Sequence, residues 1–288
     1  QKMVKNNPKQ LQIKDQLIDK KISFFCKKKL LFATFFFFFI VFGAKNFVFN
    51  DFFNKTGLER IPNKSYKSGE KLKYKISYGK RNKKSGGLIV AGNATLTVHE
   101  VEFNNNQFFQ LNAFGKTTRF FSFFLKVNHR YESFISSSTM QTFKSSMDVQ
   151  EGEFRNSVET IVSEHGAILS SLSNDMLGSL YRLRSTPNYK VQNSDTIFFS
   201  YYYNKDIYDS YIVNSGEEVI DTRFGALRTI KLLTRLEKGR LFKENTEAIV
   251  WITNNSLHIP VKLEIPILVG SIYVNLVSCD GTLYSLNE

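Results

Sequence analysis

From about residue 70 onward, apolar and polar residues alternate with a period of two, the signature of strands that bury one face. Leu72, Tyr74, Ile76 and Tyr78 alternate with Lys71, Lys73, Lys75 and Ser77, giving one apolar and one cationic face. Ala94, Leu96 and Val98 alternate with Thr95, Thr97 and His99, and a slip of phase at Glu100, before Val101 and Phe103, predicts a β-bulge. Asn104-Asn105-Asn106 reads as a hairpin turn, because asparagine tolerates left-handed backbone angles. Further strands are expected at 109–113, 127–135, 143–149, 154–162, 230–236, 248–252, 259–265 and 272–276. Turn residues separate most of them, at Glu151-Gly152, His165-Gly166, Asn204-Lys205-Asp206, Lys238-Gly239 and Asn254-Asn255.

One segment breaks this rhythm. Ser173, Asn174 and Asp175 are good amino-terminal caps, Met176, Leu177, Leu180 and Tyr181 recur at spacings of three and four, and Pro187 follows. That combination predicts a short amphipathic helix over 175–184, the one convincing helix in this part of the chain. The expected fold class is therefore all-β and mostly antiparallel: ten or more strands with one short helix, as a sandwich or as a curved sheet or half-barrel around its apolar face. No linker rich in glycine, proline or serine interrupts residues 70 to 283, so 70–288 is read as a single β-rich domain and 44–69 as an irregular leader. Uneven strand lengths, the intervening helix and the absence of a final aromatic residue favour a water-soluble sheet over an outer-membrane barrel.

Composition supports a core and removes several classes. The 288 residues are 42% hydrophobic and 15% aromatic with two cysteines, which excludes a disordered chain, a collagen-like repeat and a disulfide scaffold. The formal net charge of +13 suggests a polyanion partner until its distribution is read. Residues 1–43 hold nine lysines against Asp15 and Asp19, a net of +7 out of +13 that leaves +6 for the rest, so a nucleic-acid partner is not expected.

The lysines precede an apolar run. Lys27-Lys28-Lys29 abuts Leu30 to Ala44, 15 uncharged residues that include Phe35 to Phe39. A membrane span needs about 20 apolar residues and a secretory signal roughly 7 to 15. Length favours a cleaved signal over residues 1–43, with Val41-Phe42-Gly43 before the cut. An uncleaved anchor holding the chain in the inner membrane through 30–44, and a buried apolar segment, stay open. In the first two cases the domain is exported to the periplasm or cell envelope. Cys26 would leave with a signal, and Cys279, at the end of an alternating segment, reads as a small buried hydrophobe.

Several blocks together resemble a known family. GEKLKYKISYG (Gly69 to Gly79), GNATLTVHEVE (Gly92 to Glu102), HRYESFI (His129 to Ile135), DTRFGALRTIKL (Asp221 to Leu232), and AIVWITNN with HIPVKLEIPILVGSI (Ala248 to Ile272) are similar to a bacterial envelope family, domain of unknown function 3108. Its strongest piece joins Trp251, Pro260 and Gly270, while the basic stretch Lys80 to Ser85 departs from the pattern. The resemblance implies an exported β-rich protein, related in fold to the half-barrels that carry lipoproteins across the periplasm. It brings no activity and no catalytic residues.

The residues themselves offer little chemistry. No glycine-rich phosphate loop or Gly-x-Ser-x-Gly elbow occurs, and Ser68-Gly69-Glu70-Lys71 lacks the glycine spacing. His99, His129, His165 and His258 are scattered, without metal-ligand companions, and read as structural or solvated. His129 lies nearest other ionisable groups, Arg130 and Glu132, a pairing expected at a surface. Glu100 and Glu102 share one strand and do not make a hydrolase pair. No catalytic residue, metal or cofactor is expected, and the chain reads as a non-enzyme. Phe120, Phe121, Phe123, Phe124 and Leu125 are more apolar than a two-faced strand requires, and are the candidate ligand-binding residues, as the mouth of a cavity or a membrane-dipping loop, against core packing as the plainer reading. The rings of Phe198, Phe199, Tyr201, Tyr202 and Tyr203 fall on both faces of one strand, and Lys80 to Lys84 offers a basic loop for anionic headgroups or polysaccharide. The leading expectation is an exported protein holding a lipid or other apolar ligand, such as an acyl chain, between its sheet and the helix at 175–184. The alternative is a structural or interaction module docking on an envelope protein partner through the aromatic strands, with a glycan hydrolase third.

Overall fold

The alternating segments form the strands of a single sheet in the computed structural model, which describes residues 65–79, 88–103, 105–161, 174–185, 196–204, 206–236, 246–267 and 270–286. The segment 30–44, the basic loop from Lys80 to Lys84, Cys26 and the turns at His165-Gly166 and Lys238-Gly239 lie outside these residues. The amino-terminal part contributes β1 (Lys71–Gly79), β2 (Ile89–Phe103), β3 (Asn106–Thr117), a one-turn helix α1 (Arg119–Ser122), β4 (Val127–Ser136), β5 (Thr142–Glu151) and β6 (Phe154–Ile161). The two-residue β7 (Asn174–Asp175) leads into α2 (Met176–Arg184). There follow β8 (Thr196–Tyr203), β9 (Asp206–Thr222), β10 (Gly225–Leu236), β11 (Thr246–Thr253), β12 (Pro260–Pro266) and β13 (Ser271–Asp280). Their order is β6-β5-β4-β3-β2-β1-β13-β12-β11-β10-β9-β8-β7, antiparallel throughout except between β7 and β8. The fold is thus all-β and mostly antiparallel, as the alternation predicts, and α2 lies where the capping residues place it. The one-turn α1 is an addition: two helices are present among the described residues, and α1 falls on the phenylalanine-rich segment.

Directly opposed residues build the core. Val158, Met147, Tyr131, Ala113, Leu96, Leu72 and Cys279 follow one another across seven strands from β6 to β13. This apolar row faces inward, while Lys71, Lys73 and Lys75 of β1 are exposed on the outer face. Apolar inside and charged outside is the reverse of a transmembrane barrel. Among the described residues no helix is long and apolar enough to cross a membrane.

The bulge expected at Glu100 is not there. β2 and β3 stay in register from Gly92 to Phe103, and the change of pattern arises because β1 pairs with β2 only as far as Thr97. Val98 still exchanges backbone hydrogen bonds with Gly69 and Glu70, and beyond it His99 and Glu100 are exposed. The real irregularities include Lys73/Tyr74 against β13, Ile76/Ser77 against β2 and Trp251/Ile252 against β12. Asn105 has the left-handed backbone that its turn requires, with φ of 59°.

Side chains bring the two ends of the sheet together. Asn174 Nδ2 donates to the Met140 carbonyl at 2.7 Å, Ser145 Oγ and Tyr202 Oη lie 3.0 Å apart, and Asn156 Nδ2 donates to Asn204 Oδ1 at 3.2 Å. Among the described residues no backbone ladder joins β6 to β7, so the curled sheet is closed by side-chain hydrogen bonds. Ser65 and Tyr66, within the stretch read as a leader, are buried, and Tyr66 packs in the core edge-on to Phe109 and Tyr181.

Candidate functional site

Helix α2 is held at both ends, and a cavity lies against it. At its start Asp175 is the N-cap: its carboxylate accepts from the backbone N–H groups of Leu177 and Gly178, each at 3.1 Å, from Ser133 Oγ at 2.6 Å and from Thr142 Oγ1 at 2.9 Å. Burial raises the Asp175 pKa above the usual carboxylate range against the opposing effect of these four hydrogen bonds. At the other end Ser65 Oγ donates to the Arg184 carbonyl at 2.6 Å, and His258 Nδ1 lies 2.7 Å from the same oxygen. Every residue of α2 except Leu180 and Arg182 is buried, so the helix is an internal element rather than an amphipathic one with a wet face.

The carboxyl-terminal end of α2 carries a buried ion pair. Arg184 Nη1 and Nη2 donate to the two oxygens of Glu70 at 2.7 and 2.8 Å, and the remaining guanidinium bonds reach the carbonyls of Leu257 and Ser65. The guanidinium also lies 4.9 Å from the ring centre of Tyr181 and 5.4 Å from that of Tyr66. Burial alone would lower the Arg184 pKa; the Glu70 carboxylate overcomes it and holds the group above its ordinary value. Because the charges neutralise each other, the pair presents no net charge to its surroundings.

Beside this pair is a cavity of about 210 Å³. Leu180, Leu183 and Arg184 of α2 form one wall, and the inner faces of β1, β2 and β8 to β13 form the others, through residues such as Ile76, Leu96, Phe199, Ile212, Leu232, Ile252 and Val274. Ala94 of β2, opposite Tyr74 of β1, is the smallest side chain on the lining. The lining is almost wholly apolar, with polar groups at Tyr74, Arg184, Thr234, His258 and Lys262. Thr234 Oγ1 is engaged with the Tyr211 carbonyl, and the Lys262 ammonium sits 4.5 Å from the centre of the Trp251 ring. The Tyr74 hydroxyl is buried without a hydrogen-bond partner among the described residues.

The five candidate ligand-binding residues are elsewhere. None of Phe120, Phe121, Phe123, Phe124 and Leu125 lines this cavity. They form α1 and the loop into β4, where Leu125 is buried while Phe120, Phe123 and Phe124 are 62, 80 and 51% exposed. On the aromatic strand β8, Phe199, Tyr201 and Tyr202 are buried, Tyr203 is half-buried and Phe198 is 39% exposed. His129, expected at a surface contact with Arg130 or Glu132, is buried, with Nε2 3.1 Å from Glu151. Its neighbours in sequence point to the other face of β4, and its partner comes from β5. Cys279 is half-buried and burial pushes its thiol up to about 11, which keeps it protonated. Among the described residues no group of three His, Cys, Asp or Glu side chains is placed to hold a metal ion. Sequence reasoning missed Tyr74, Ala94 and Glu70; the only signal was the small Ala94 in an otherwise bulky inner face.

Residues 167–277 match a family model, "Protein of unknown function (DUF3108)". The matched stretch runs from β7 and α2 through most of β13, and so contains α2 and most of the cavity lining. This agrees with the resemblance seen in the sequence. No curated protein matches the chain. Among solved structures, a β-barrel-like protein of domain of unknown function DUF1849 from Brucella abortus aligns with a TM-score of 0.43 at 9% identity, over 75% of this chain and 98% of that one. The lipoprotein LppX of Mycobacterium tuberculosis aligns with a TM-score of 0.28 at 15% identity, over 74% of this chain and 88% of the other.

Proposed function

We propose that this chain is an exported envelope protein that binds one slim apolar ligand, such as a single acyl chain, and has no enzymatic activity. The observation that carries the reading is the apolar cavity between α2 and the inner face of the sheet. Its volume of about 210 Å³ exceeds the roughly 150 Å³ of an apolar cavity that accepts benzene, and falls below the roughly 300–1,000 Å³ of sites for drug-sized molecules. One chain therefore suits it better than a bulky multi-acyl lipid. Export rests on the basic and apolar amino-terminal segment, which gives the domain access to envelope lipids.

The exposed rings of Phe120, Phe123 and Phe124 support contact with a bilayer. They stand in a segment, Lys116 to Lys126, that carries Lys116, Arg119 and Lys126 and no acid. Exposed apolar rings amid cations suit an anionic lipid surface, where headgroups meet the charges and the rings enter the interface.

Binding is tested by native mass spectrometry and thermal shift with single-chain lipids. Ala94 lies opposite Tyr74 on the cavity lining, so Ala94→Leu fills part of the cavity. The expected outcome is at least a tenfold loss of lipid affinity together with a stability equal to the parent or higher by about 0.5–2 kcal/mol. Unchanged affinity in a folded Ala94→Leu protein would exclude this cavity as the site.

A further inference from the structure

We infer that the outer face of the sheet binds an extended anionic polysaccharide, one that carries an acid group on every second or third sugar. The surface is independent of the ligand-binding reading above, because none of the residues that build it lines the cavity. Strand register assembles it. From Asn275 on β13 through Lys75, Asn93, Lys116, Asn128 and Gln150 to Arg155 on β6, directly opposed residues cross seven strands without an acid. Opposed residues share a face, and Lys75, Asn93, Lys116 and Arg155 are exposed on it. The next row on that face adds Lys73 and Arg130 against one acid, Asp148. Lys116 and Arg130 each lie 5.6 Å from the centre of the Phe114 ring, which holds their charges beside the row. Among the described residues none of these five cations is held in an ion pair.

Shape decides which kind of anion fits. The row makes six inter-strand steps, about 29 Å along the surface, and crosses seven of the thirteen strands of a sheet whose ends meet. Its two ends therefore face different sides of the molecule, so a flat bilayer reaches only part of it, whereas a linear chain can follow it all. Along the row the cations stand two and three steps apart, about 10 and 14 Å. Duplex nucleic acid carries a charge about every 1.7 Å and would leave most phosphates unmatched. A sugar ring is about as long as one step, so an acid on every second or third sugar repeats at the spacing of the cations. The positions between them are amides, Asn93, Asn128 and Gln150, which can both donate to and accept from sugar hydroxyls.

The test measures binding of the full chain to labelled hyaluronan fragments, which carry a carboxylate on every second sugar, by fluorescence anisotropy at low salt. Dextran is the neutral control and phosphatidylglycerol vesicles are the competing anionic surface. Affinity for hyaluronan should rise with fragment length up to about six sugars, the reach of the row, and then level off. The combined variant Lys73→Gln, Lys75→Gln, Arg155→Gln alters exposed side chains only, so it should keep the parent Tm while losing roughly tenfold in hyaluronan affinity and flattening the salt dependence. Each single replacement should cost a share of that loss, which keeps the test open if the combined variant does not fold. Asn93→Ala with Asn128→Ala should weaken binding roughly threefold at an unchanged salt dependence, an effect that simple charge attraction does not produce. The lysines ahead of residue 44 are common to all these proteins, so attraction to them cancels. No binding by the parent, equal binding by parent and charge variants, or dextran binding as tight as hyaluronan overturns the inference. An equal loss on vesicles also overturns it, because the row would then belong to a membrane-facing surface.

Discussion

At the scale of single residues, the interior of this protein contains more ionisable groups than its alternating pattern suggests, and each is held by neighbours remote in sequence. Glu70 and Arg184 are 114 residues apart, yet they form a bidentate pair that anchors the end of α2. Nothing local in either segment indicates the pairing, because a lone glutamate before a strand is ordinarily solvated. His258 shows how such burial sets a pH dependence. Burial, and secondarily the nearby Arg184 charge, lower its pKa against the hydrogen bond at the Arg184 carbonyl. A histidine lowered on folding contributes stability that is present above its unfolded value of about 6.5 and lost as pH falls through the folded one. His258→Asn removes the titration while tolerating the left-handed φ of 43°. Urea denaturation of the parent should therefore show stability falling below about pH 6.5, with a clearly shallower fall in the variant. Asp175 acts with the opposite sign, since its raised carboxyl stabilises the fold when protonated and loses that contribution as pH rises through its folded value. It is common to both proteins and cancels in the comparison.

At the scale of elements, α2 illustrates a local pattern read correctly and its setting read incompletely. Asp175 is a good cap by residue type, and the cap forms. Its two additional partners, Ser133 and Thr142, come from β4 and β5 and were not legible. The same packing explains Gly178, an unfavourable residue inside a helix. A Cβ there would lie 2.5 Å from Thr142 Oγ1 and 2.7 Å from Asp175 Oδ1, inside the cap network. On an exposed helix Gly→Ala stabilises by about 0.8–1 kcal/mol. Here Gly178→Ala should instead destabilise by about 1–3 kcal/mol in urea titration, through overpacking and displacement of the cap. A gain in stability would show that the helix end yields freely.

At the scale of the whole molecule, a long sheet has curled until its ends meet through side chains, with α2 inside and one aromatic loop outside. That division separates two features the sequence left together in residues 120–125: the apolar cavity lies beside α2, and the exposed phenylalanines belong to a different surface. Replacing Phe120, Phe123 and Phe124 by serine should reduce cosedimentation with anionic vesicles at least tenfold while leaving Tm and single-chain lipid binding unchanged. Equal cosedimentation of parent and variant would remove the bilayer from the proposed role of this loop.

The sequence by itself determined most of the strands, though not β9, together with the position of α2 and the all-β class, because a period of two and a capped helical spacing are local consequences of backbone geometry. It also placed the charge, more than half of it ahead of residue 44. Only the tertiary structure decided which face was enclosed, that Glu70 pairs with Arg184 at the end of α2, and that Ala94 faces a cavity beside that helix. A cavity is a property of register between strands, and register is set by pairings between residues far apart along the chain, which no local period records.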